Sequence, residues 1–299
     1  MGDMAVSNHM DISNAVDVSD TRAVANAVVE LLSVKYPGFD GTAAHRLFED
    51  FDNLYGGRYP GYRACDVPYH NERHVLDVTL AMARLLDGVA RAGESGTRLD
   101  ADYALLGITT ALFHDAGYIR REEESFEISG AAFTRIHVTR GERFLGHYLP
   151  KIGLGRFAEP AGRIIHFTGY EIEPQAIPVA DEQEFLLGCL LGTADLIAQM
   201  SDRDYVRKCC EDLFQEFVAG GLAAREEDDK SPGVLYHSAS HLLEMTPQFM
   251  AKAVGDRLEG HFNGVHRFAA AHFGGNNLYM DAIEDNRRSL EAQLAEAGA

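Results

Sequence analysis

The residues best suited to chemistry are a His-Asp pair inside an apolar stretch, Ala-Leu-Phe-His114-Asp115-Ala-Gly-Tyr. An imidazole next to a carboxylate can hold a divalent metal ion, and the two oxygens of Asp115 allow it to bridge two ions. Such a dipeptide also occurs by chance in many chains. Its meaning therefore depends on further His and Asp residues at suitable positions along the sequence.

A second group of candidates lies upstream, in Tyr-His70-Asn-Glu-Arg-His74-Val-Leu-Asp77. His70 and His74 are four residues apart, so a helix presents both imidazoles on one face. Asp77 follows His74 by three residues, and we expect its carboxylate to hydrogen-bond a ring nitrogen and orient a ligating imidazole. The alternative is a pair of surface histidines on an amphipathic helix.

Three further candidates, His137, His166 and Asp195, stand among apolar side chains. A carboxylate is costly to bury unless it is paired or binds a metal ion, which makes Asp195 informative. A single buried histidine is more often a hydrogen-bonded core residue than a ligand. The coincidence of three such sites with the His-Asp pair shifts that balance towards a metal centre.

These positions form a set of six potential metal ligands: His74, His114, Asp115, His137, His166 and Asp195. We expect His137 and His166 to hold a second ion, the other residues to hold the first, and Asp115 to bridge the two. Imidazole and carboxylate donors without a thiolate suit Fe, Mn, Zn, Mg or Co. Two ions about 3.5–4 Å apart are a recurrent arrangement for displacement at phosphorus.

The ordered H…HD…D pattern resembles the HD-domain superfamily of metal-dependent phosphohydrolases. The stretch YHNERHVLDV is closely similar to the YHNxxHAxDV signature of class I 3′,5′-cyclic nucleotide phosphodiesterases. The resemblance covers roughly residues 66–210. It implies that His74, His114, Asp115 and Asp195 are the primary metal ligands. It also implies that His70 is the general acid that protonates the leaving 3′ oxygen.

Two of the six potential ligands, His137 and His166, depart from the cyclic nucleotide enzymes. They are similar to the six-ligand sites of HD-GYP cyclic di-GMP phosphodiesterases. The chain has Tyr118 where those enzymes usually carry Lys, and Gly169-Tyr170 matches only part of their GYP motif. The glutamine that clamps a purine in mammalian-type enzymes has no assigned counterpart. The substrate base, and whether the diester is cyclic or linear, therefore stay open.

The expected function is that of a metal-dependent phosphohydrolase with two divalent metal ions. The resemblance implies a phosphodiesterase that cleaves a cyclic nucleotide or cyclic dinucleotide by attack of a metal-activated hydroxide. One alternative is a di-iron HD-fold oxygenase, because the inositol oxygenase family uses the same order of four His and two Asp. Another is a non-catalytic nucleotide-binding regulatory module. His70 favours hydrolysis, since an oxygenase has no evident need for it.

The elements that position these residues are predicted to be helices. Apolar side chains recur at helical spacing from Thr21 onward, and alternating strand patterns are absent. We expect a helix from near Pro68 to about residue 92, an apolar helix ending at the His-Asp pair, and another near 124–149. The prediction is a single all-α, HD-type catalytic domain over 21–299, with its core at 66–210, after a flexible N-terminal tail over 1–20.

Composition limits the partners of this chain of 299 residues. A net charge of −19 argues against duplex nucleic acid, whereas a small anionic phosphoester remains compatible because bound metal ions reverse the local potential. No apolar run reaches the roughly 18 residues that span a bilayer. The absence of a signal-peptide pattern and of CxxC pairs favours a cytoplasmic protein with reduced thiols. The C-terminal helices leave a homo-oligomer open.

Overall fold

The computed structural model describes residues 9–224 and 233–297, and this part of the chain is all-α, with isolated bridges but no β-sheet. Its α-helices are α1 (Thr21–Lys35), α2 (Gly41–Tyr55), α3 (Glu72–Ala92), α4 (Ala101–Phe113), α5 (His137–Lys151), α6 (Ala158–Ile164), α7 (Glu182–Ser201), α8 (Tyr205–Lys208), α9 (Phe214–Ala219), α10 (Ala239–Lys252), α11 (Phe268–Phe273) and α12 (Leu278–Ala297). The predicted all-α fold class is confirmed. Within the described ranges, no helix combines the length and apolar character needed to cross a bilayer.

Helix α3 is the centre of the fold. It packs against α1, α4, α7 and α11, and its side chains are buried on all sides between Val75 and Val89. A helix with this pattern must be covered around its whole circumference. Helices α4 and α7 are also buried along most of their length. These three helices form the framework on which most of the candidate ligands stand.

The start of α3 differs from the prediction. The helix begins at Glu72, because the side chain of Asn71 accepts a hydrogen bond from the backbone N–H of His74 (3.3 Å) and caps it. The backbone N–H of His70 is bound instead by Glu216, at 3.2 Å. His70 therefore lies in the turn before the helix, whereas His74 lies in its first turn.

The segment between the His-Asp pair and α5 also differs. In place of a continuous helix near 124–149, the chain makes turns and a short 3₁₀ helix at Gly130–Phe133 before α5 begins at His137. A Cβ atom on Gly130 would lie 2.4 Å from the carbonyl oxygen of Tyr118. This close approach depends on tertiary packing that local periodicity does not reveal.

The predicted flexible tail differs from the structure over residues 9–20, which fold back onto α3. Asp11 is 2% exposed, and its Oδ2 lies 2.6 Å from Nη2 of Arg84 on α3. Val18 is buried in the main hydrophobic cluster. The ion pair between Asp11 and Arg84, which are 73 residues apart in sequence, holds this segment against α3. The remainder of the predicted tail, residues 1–8, lies outside the described residues.

Candidate metal centre

Three helices bring four of the predicted ligands together. His74 lies in the first turn of α3, His114 and Asp115 directly follow α4, and Asp195 lies on α7. His74 Nε2 is 3.5 Å from Asp115 Oδ2 and 3.4 Å from Asp195 Oδ1. His114 Nε2 is 3.1 Å and 3.8 Å from the same two oxygens. Two imidazoles and two carboxylates therefore face a common point.

Buried polar atoms at this point lack hydrogen-bond partners. They are His74 Nε2, His114 Nε2 and Asp115 Oδ2. Potential ligand atoms of these three residues lie within 4.8 Å of one another. A buried polar atom without a partner costs about 1–3 kcal/mol, and one bound cation would satisfy all three. The donor set, two imidazole nitrogens with carboxylate oxygens, fits a divalent metal ion.

Electrostatics also favours a cation here. Burial opposes the ionisation of Asp115, but the imidazoles of His114 and His70 hold the pKa of its carboxyl well below its usual range. Burial likewise opposes the ionisation of Asp195, yet His74 and His114 lower its pKa. Both carboxylates are therefore charged at neutral pH, and no Lys or Arg in the described part of the chain forms an ion pair with either.

Backbone carbonyl groups fix the orientation of two imidazoles. Nδ1 of His114 donates to the carbonyl oxygen of Ala111 (2.8 Å), and Nδ1 of His137 donates to that of Thr134 (2.7 Å). In the neutral form of each ring the proton then resides on Nδ1, which leaves the lone pair on Nε2 for a metal ion. In both residues, Nε2 is the nitrogen that faces Asp115.

Asp115 stands between two groups of ligands. Its Oδ2 faces Nε2 of His74 and His114, whereas its Oδ1 is 3.7 Å from Nε2 of His137. The two oxygens of Asp115 therefore face different histidines. A carboxylate that bridges two metal ions needs this arrangement, and it makes His137 a candidate ligand for a second ion.

His166, the remaining predicted ligand, is not part of these contacts. Its Nε2 lies 3.1 Å from Oε2 of Glu142, on α5. Within the described residues, no hydrogen bond, ion pair or ring contact joins His166 to the other predicted ligands. Its role at a second metal ion stays a prediction.

Asp77 does not orient His74, and that prediction is wrong. No hydrogen bond joins the two residues in the described part of the chain, and Oδ1 of Asp77 is buried without a partner. Asp77 borders a small space beside Ser201 and Asp202, at the end of α7. Burial, together with the Asp202 carboxylate, raises the pKa of Asp77 to about 7. Although Asp77 follows His74 by only three residues, its side chain lies beside Ser201 and Asp202 and not among the predicted ligands.

Glu216 holds His70 in place. Its buried Oε1 pairs with Nδ1 of His70, and its Oε2 accepts the backbone N–H groups of Tyr69 and His70, at 3.1 and 3.2 Å. Burial lowers the pKa of His70, but the carboxylates of Glu216 and Asp115 outweigh it and raise the pKa to about 9. The arrangement leaves Nε2 of His70 available for a ligand.

Glu216 is a site residue that was not predicted, although the sequence around it contains a signal. Glu216 stands close to the apolar residues Phe214, Phe217 and Val218, and it is 0% exposed. The burial argument that identified Asp195 applies equally here. The contact with His70 nevertheless depends on how α9 packs across 146 residues of sequence, which local spacing does not reveal.

A cavity of about 390 Å³ opens onto His70, Asp115, His137 and Asp195. Away from these residues its wall is largely apolar and includes Leu196, Leu213, Phe217, Tyr236, Leu242 and Phe249. The rings of Phe217 and Tyr236 stack with centroids 5.5 Å apart and planes 9° apart. The cavity can therefore receive a ring-bearing organic group next to the candidate metal ligands.

Arg257 is the only Lys or Arg that the described residues contribute to this wall. Its Nη2 already donates to the carbonyl oxygens of Phe167 (2.8 Å) and Gly169 (2.9 Å). The guanidinium lies over the ring of Tyr170, 4.2 Å from the centroid. Beyond His70, the described residues thus offer little positive charge to a ligand in the cavity.

Neither a scan against protein-family models nor a search of curated proteins finds a match to this chain.

Proposed function

We propose that the protein is an HD-type, metal-dependent phosphodiesterase with two divalent metal ions. The observation that carries the proposal is the convergence of unpartnered His74 Nε2, His114 Nε2 and Asp115 Oδ2 beside a cavity that also contains His70. The resemblance of YHNERHVLDV to the cyclic nucleotide phosphodiesterase signature supports the same reaction.

His74, His114, Asp115 and Asp195 would hold one ion, and His137 would hold a second across Asp115. When bound, the two cations would neutralise the phosphodiester and activate a water molecule for attack. The backbone carbonyls of Ala111 and Thr134 keep two of the imidazoles in the ligating tautomer. Oδ2 of Asp115 faces His74 and His114, and its Oδ1 faces His137, so Asp115 would serve both ions.

His70 acts as the general acid in this proposal. As the P–O bond breaks, its electron pair leaves with the alkoxide oxygen, which takes the proton from Nε2 of His70. The imidazole is then neutral, and solvent returns its proton. Glu216 supports the protonated form and fixes the ring through Nδ1. A metal site without hydrolytic function has no evident need for this pair.

The cavity favours a substrate with one phosphoryl group and an uncharged, ring-bearing body. One phosphate can be neutralised at the metal ligands, whereas a second phosphate would meet apolar side chains and a guanidinium already bound to carbonyl groups. Burying an unpaired charge is expensive. We therefore propose a cyclic mononucleotide in preference to a cyclic dinucleotide.

The test is hydrolysis of cyclic AMP, cyclic GMP, cyclic di-AMP and cyclic di-GMP by chelator-treated protein supplied with Mn, Mg, Fe or Zn. We expect metal-dependent turnover, greater for the mononucleotides, that continues without oxygen. No turnover of any of them with any metal would contradict the proposal. Turnover that requires oxygen would identify an oxygenase, and tight binding without turnover a regulatory module.

A further inference from the structure

The ring of Tyr118 stacks on two imidazoles of the site. It is nearly parallel to His70 (centroids 4.7 Å apart, planes 11° apart) and to His137 (4.6 Å, 20°). The two imidazoles are themselves 6.3 Å apart. Tyr118 is therefore in direct contact with both the proposed general acid and the proposed ligand of the second ion.

The backbone fixes the place of Tyr118. The residue ends the 3₁₀ turn Ala116–Tyr118, and its N–H donates to the carbonyl oxygen of Asp115 (3.0 Å). Its side chain is 2% exposed, and the hydroxyl faces Thr134, whose carbonyl oxygen binds His137. The backbone turn and the burial of the side chain are enough to hold the ring as a rigid surface.

Two restraints act on the His70 imidazole. Glu216 fixes the ring in its plane through Nδ1, but a single hydrogen bond leaves the ring free to tilt about that bond. Tyr118 covers one face and blocks this tilt. Without that surface, Nε2 can move out of line with the leaving oxygen while the pairing with Glu216 survives.

We propose that Tyr118 is a positioning residue. Its ring holds the His70 imidazole in a fixed orientation relative to His137 and the other candidate ligands. The catalytic consequence rests on the proposed phosphodiesterase function. The restraint on the His70 ring does not rest on that function, because it can be measured without turnover. Neither role depends on the hydroxyl, so the aromatic ring is the active part of the side chain.

The first arm of the test compares Tyr118→Leu, which removes the stacking surface, with Tyr118→Phe, which keeps it. The substrates are cyclic AMP, whose alkoxide leaving group needs a proton, and bis(p-nitrophenyl) phosphate, whose leaving group does not. We expect Tyr118→Leu to lower kcat for cyclic AMP by about 10-fold or more and to change the p-nitrophenyl reaction little. Tyr118→Phe should restore the wild-type pattern, with unchanged metal content in both variants.

A control variant separates positioning from general destabilisation. Tyr36→Leu truncates a tyrosine that is also buried but whose hydroxyl binds Leu86 O, away from the cavity. This variant should not discriminate between the two substrates. Equal losses on both substrates in Tyr118→Leu, or a failure of Tyr118→Phe to restore the pattern, would overturn the proposal.

The second arm measures the ring itself by NMR of the imidazole protons of His70. In wild type and Tyr118→Phe, the ring protons should show the upfield shift of an aromatic stack, which Tyr118→Leu should lose. Unchanged shifts in Tyr118→Leu would overturn the positioning role. If wild-type protein hydrolyses neither substrate, the phosphodiesterase proposal fails, and this arm still decides whether Tyr118 restrains His70.

Discussion

Two buried carboxylates contact α3, and their surroundings differ: Asp11 pairs with Arg84 near the middle of the helix, whereas Asp115 faces His74 in its first turn. Asp11 accepts hydrogen bonds from Ser13, Ala15 and Val16 and forms an ion pair with Arg84, at 2.6 Å. Asp115 has an oxygen with no hydrogen-bond partner and is surrounded by histidines. Arg84 supplies a permanent cation to Asp11, whereas no Arg or Lys among residues 9–224 and 233–297 pairs with Asp115.

The difference indicates a structural role for Asp11 and a metal-binding role for Asp115. Burial opposes the ionisation of Asp11, but Arg84 lowers the pKa of its carboxyl to about 2. Arg84 also donates to the hydroxyl of Tyr279 on α12 (2.9 Å), so it joins residues 9–20 to both α3 and α12. Among the described residues, imidazoles alone balance the charge around Asp115, and an imidazole can exchange a proton for a metal ion. We therefore expect a cation from solution to bind at this buried anionic cluster.

The largest effect expected on the Asp11 side follows from Arg84→Met. This change leaves Asp11 buried without its cation and should lower the free energy of unfolding by about 3–5 kcal/mol, measured by urea denaturation. The exposed Arg288, paired with Glu284, provides the control, because Arg288→Met should cost about 1 kcal/mol or less. Similar losses in the two variants would remove the distinction between a buried and a surface pair.

On the Asp115 side, stability should depend on metal. Free Mn²⁺ at 100 to 1,000 times its Kd should raise the free energy of unfolding of wild-type protein by about 3–4 kcal/mol. Asp115→Asn should lose this increase, whereas Arg84→Met should retain it despite its lower starting stability. Denaturation with and without a chelator measures both, and a metal response preserved in Asp115→Asn would contradict the assignment.

His70 allows metal binding and proton donation to be tested separately, because it lies at the site without being a proposed ligand. His70→Ala should lower turnover by about 100-fold or more while the metal content, measured by elemental analysis, stays at the wild-type value. A parallel loss of metal would show that His70 is a ligand and not the general acid.

Asp77 gives a prediction with a defined pH window. Its folded-state pKa of about 7 lies above the value near 4 of an unfolded aspartate, so the folded chain binds the proton more tightly. The stability cost of ionising Asp77 therefore develops as pH rises from about 4 to about 7 and is complete above that. Asp77→Asn should stabilise the protein by about 1 kcal/mol or more at pH 8 and by little at pH 4. A benefit that is the same at both pH values would contradict this.

The most selective effect is expected at Gly117. A Cβ atom there would lie 1.8 Å from the carbonyl oxygen of His137, so Gly117→Ala should displace His137 and reduce bound metal from about two ions to about one. Gly146→Ala is the matched control on α5, because its Cβ would meet no atom within 4 Å. Unchanged metal content in Gly117→Ala would remove His137 from the second site.

Local pattern was enough to predict part of this architecture. His74, His114, Asp115 and Asp195 stand on or next to apolar helices, and helical spacing with the cost of buried charge selects them. The same spacing argument failed for Asp77, since a position on a helix face does not say which neighbour covers it.

Other features of the molecule depend on tertiary contacts between distant segments. The pairing of Glu216 with His70, the stacking of Tyr118 and the folding of residues 9–20 onto Arg84 all join residues that local sequence does not relate. These contacts form only once the helices are packed, and they complete the site around ligands that the sequence already indicates.

The most direct test of the proposed two-ion site is anomalous X-ray diffraction from crystals grown with Mn²⁺. We expect one anomalous peak among His74, His114, Asp115 and Asp195, and a second between Asp115 and His137. Crystals in saturating Mn²⁺ with no peak at Asp115, or with Mn²⁺ bound only elsewhere, would contradict it.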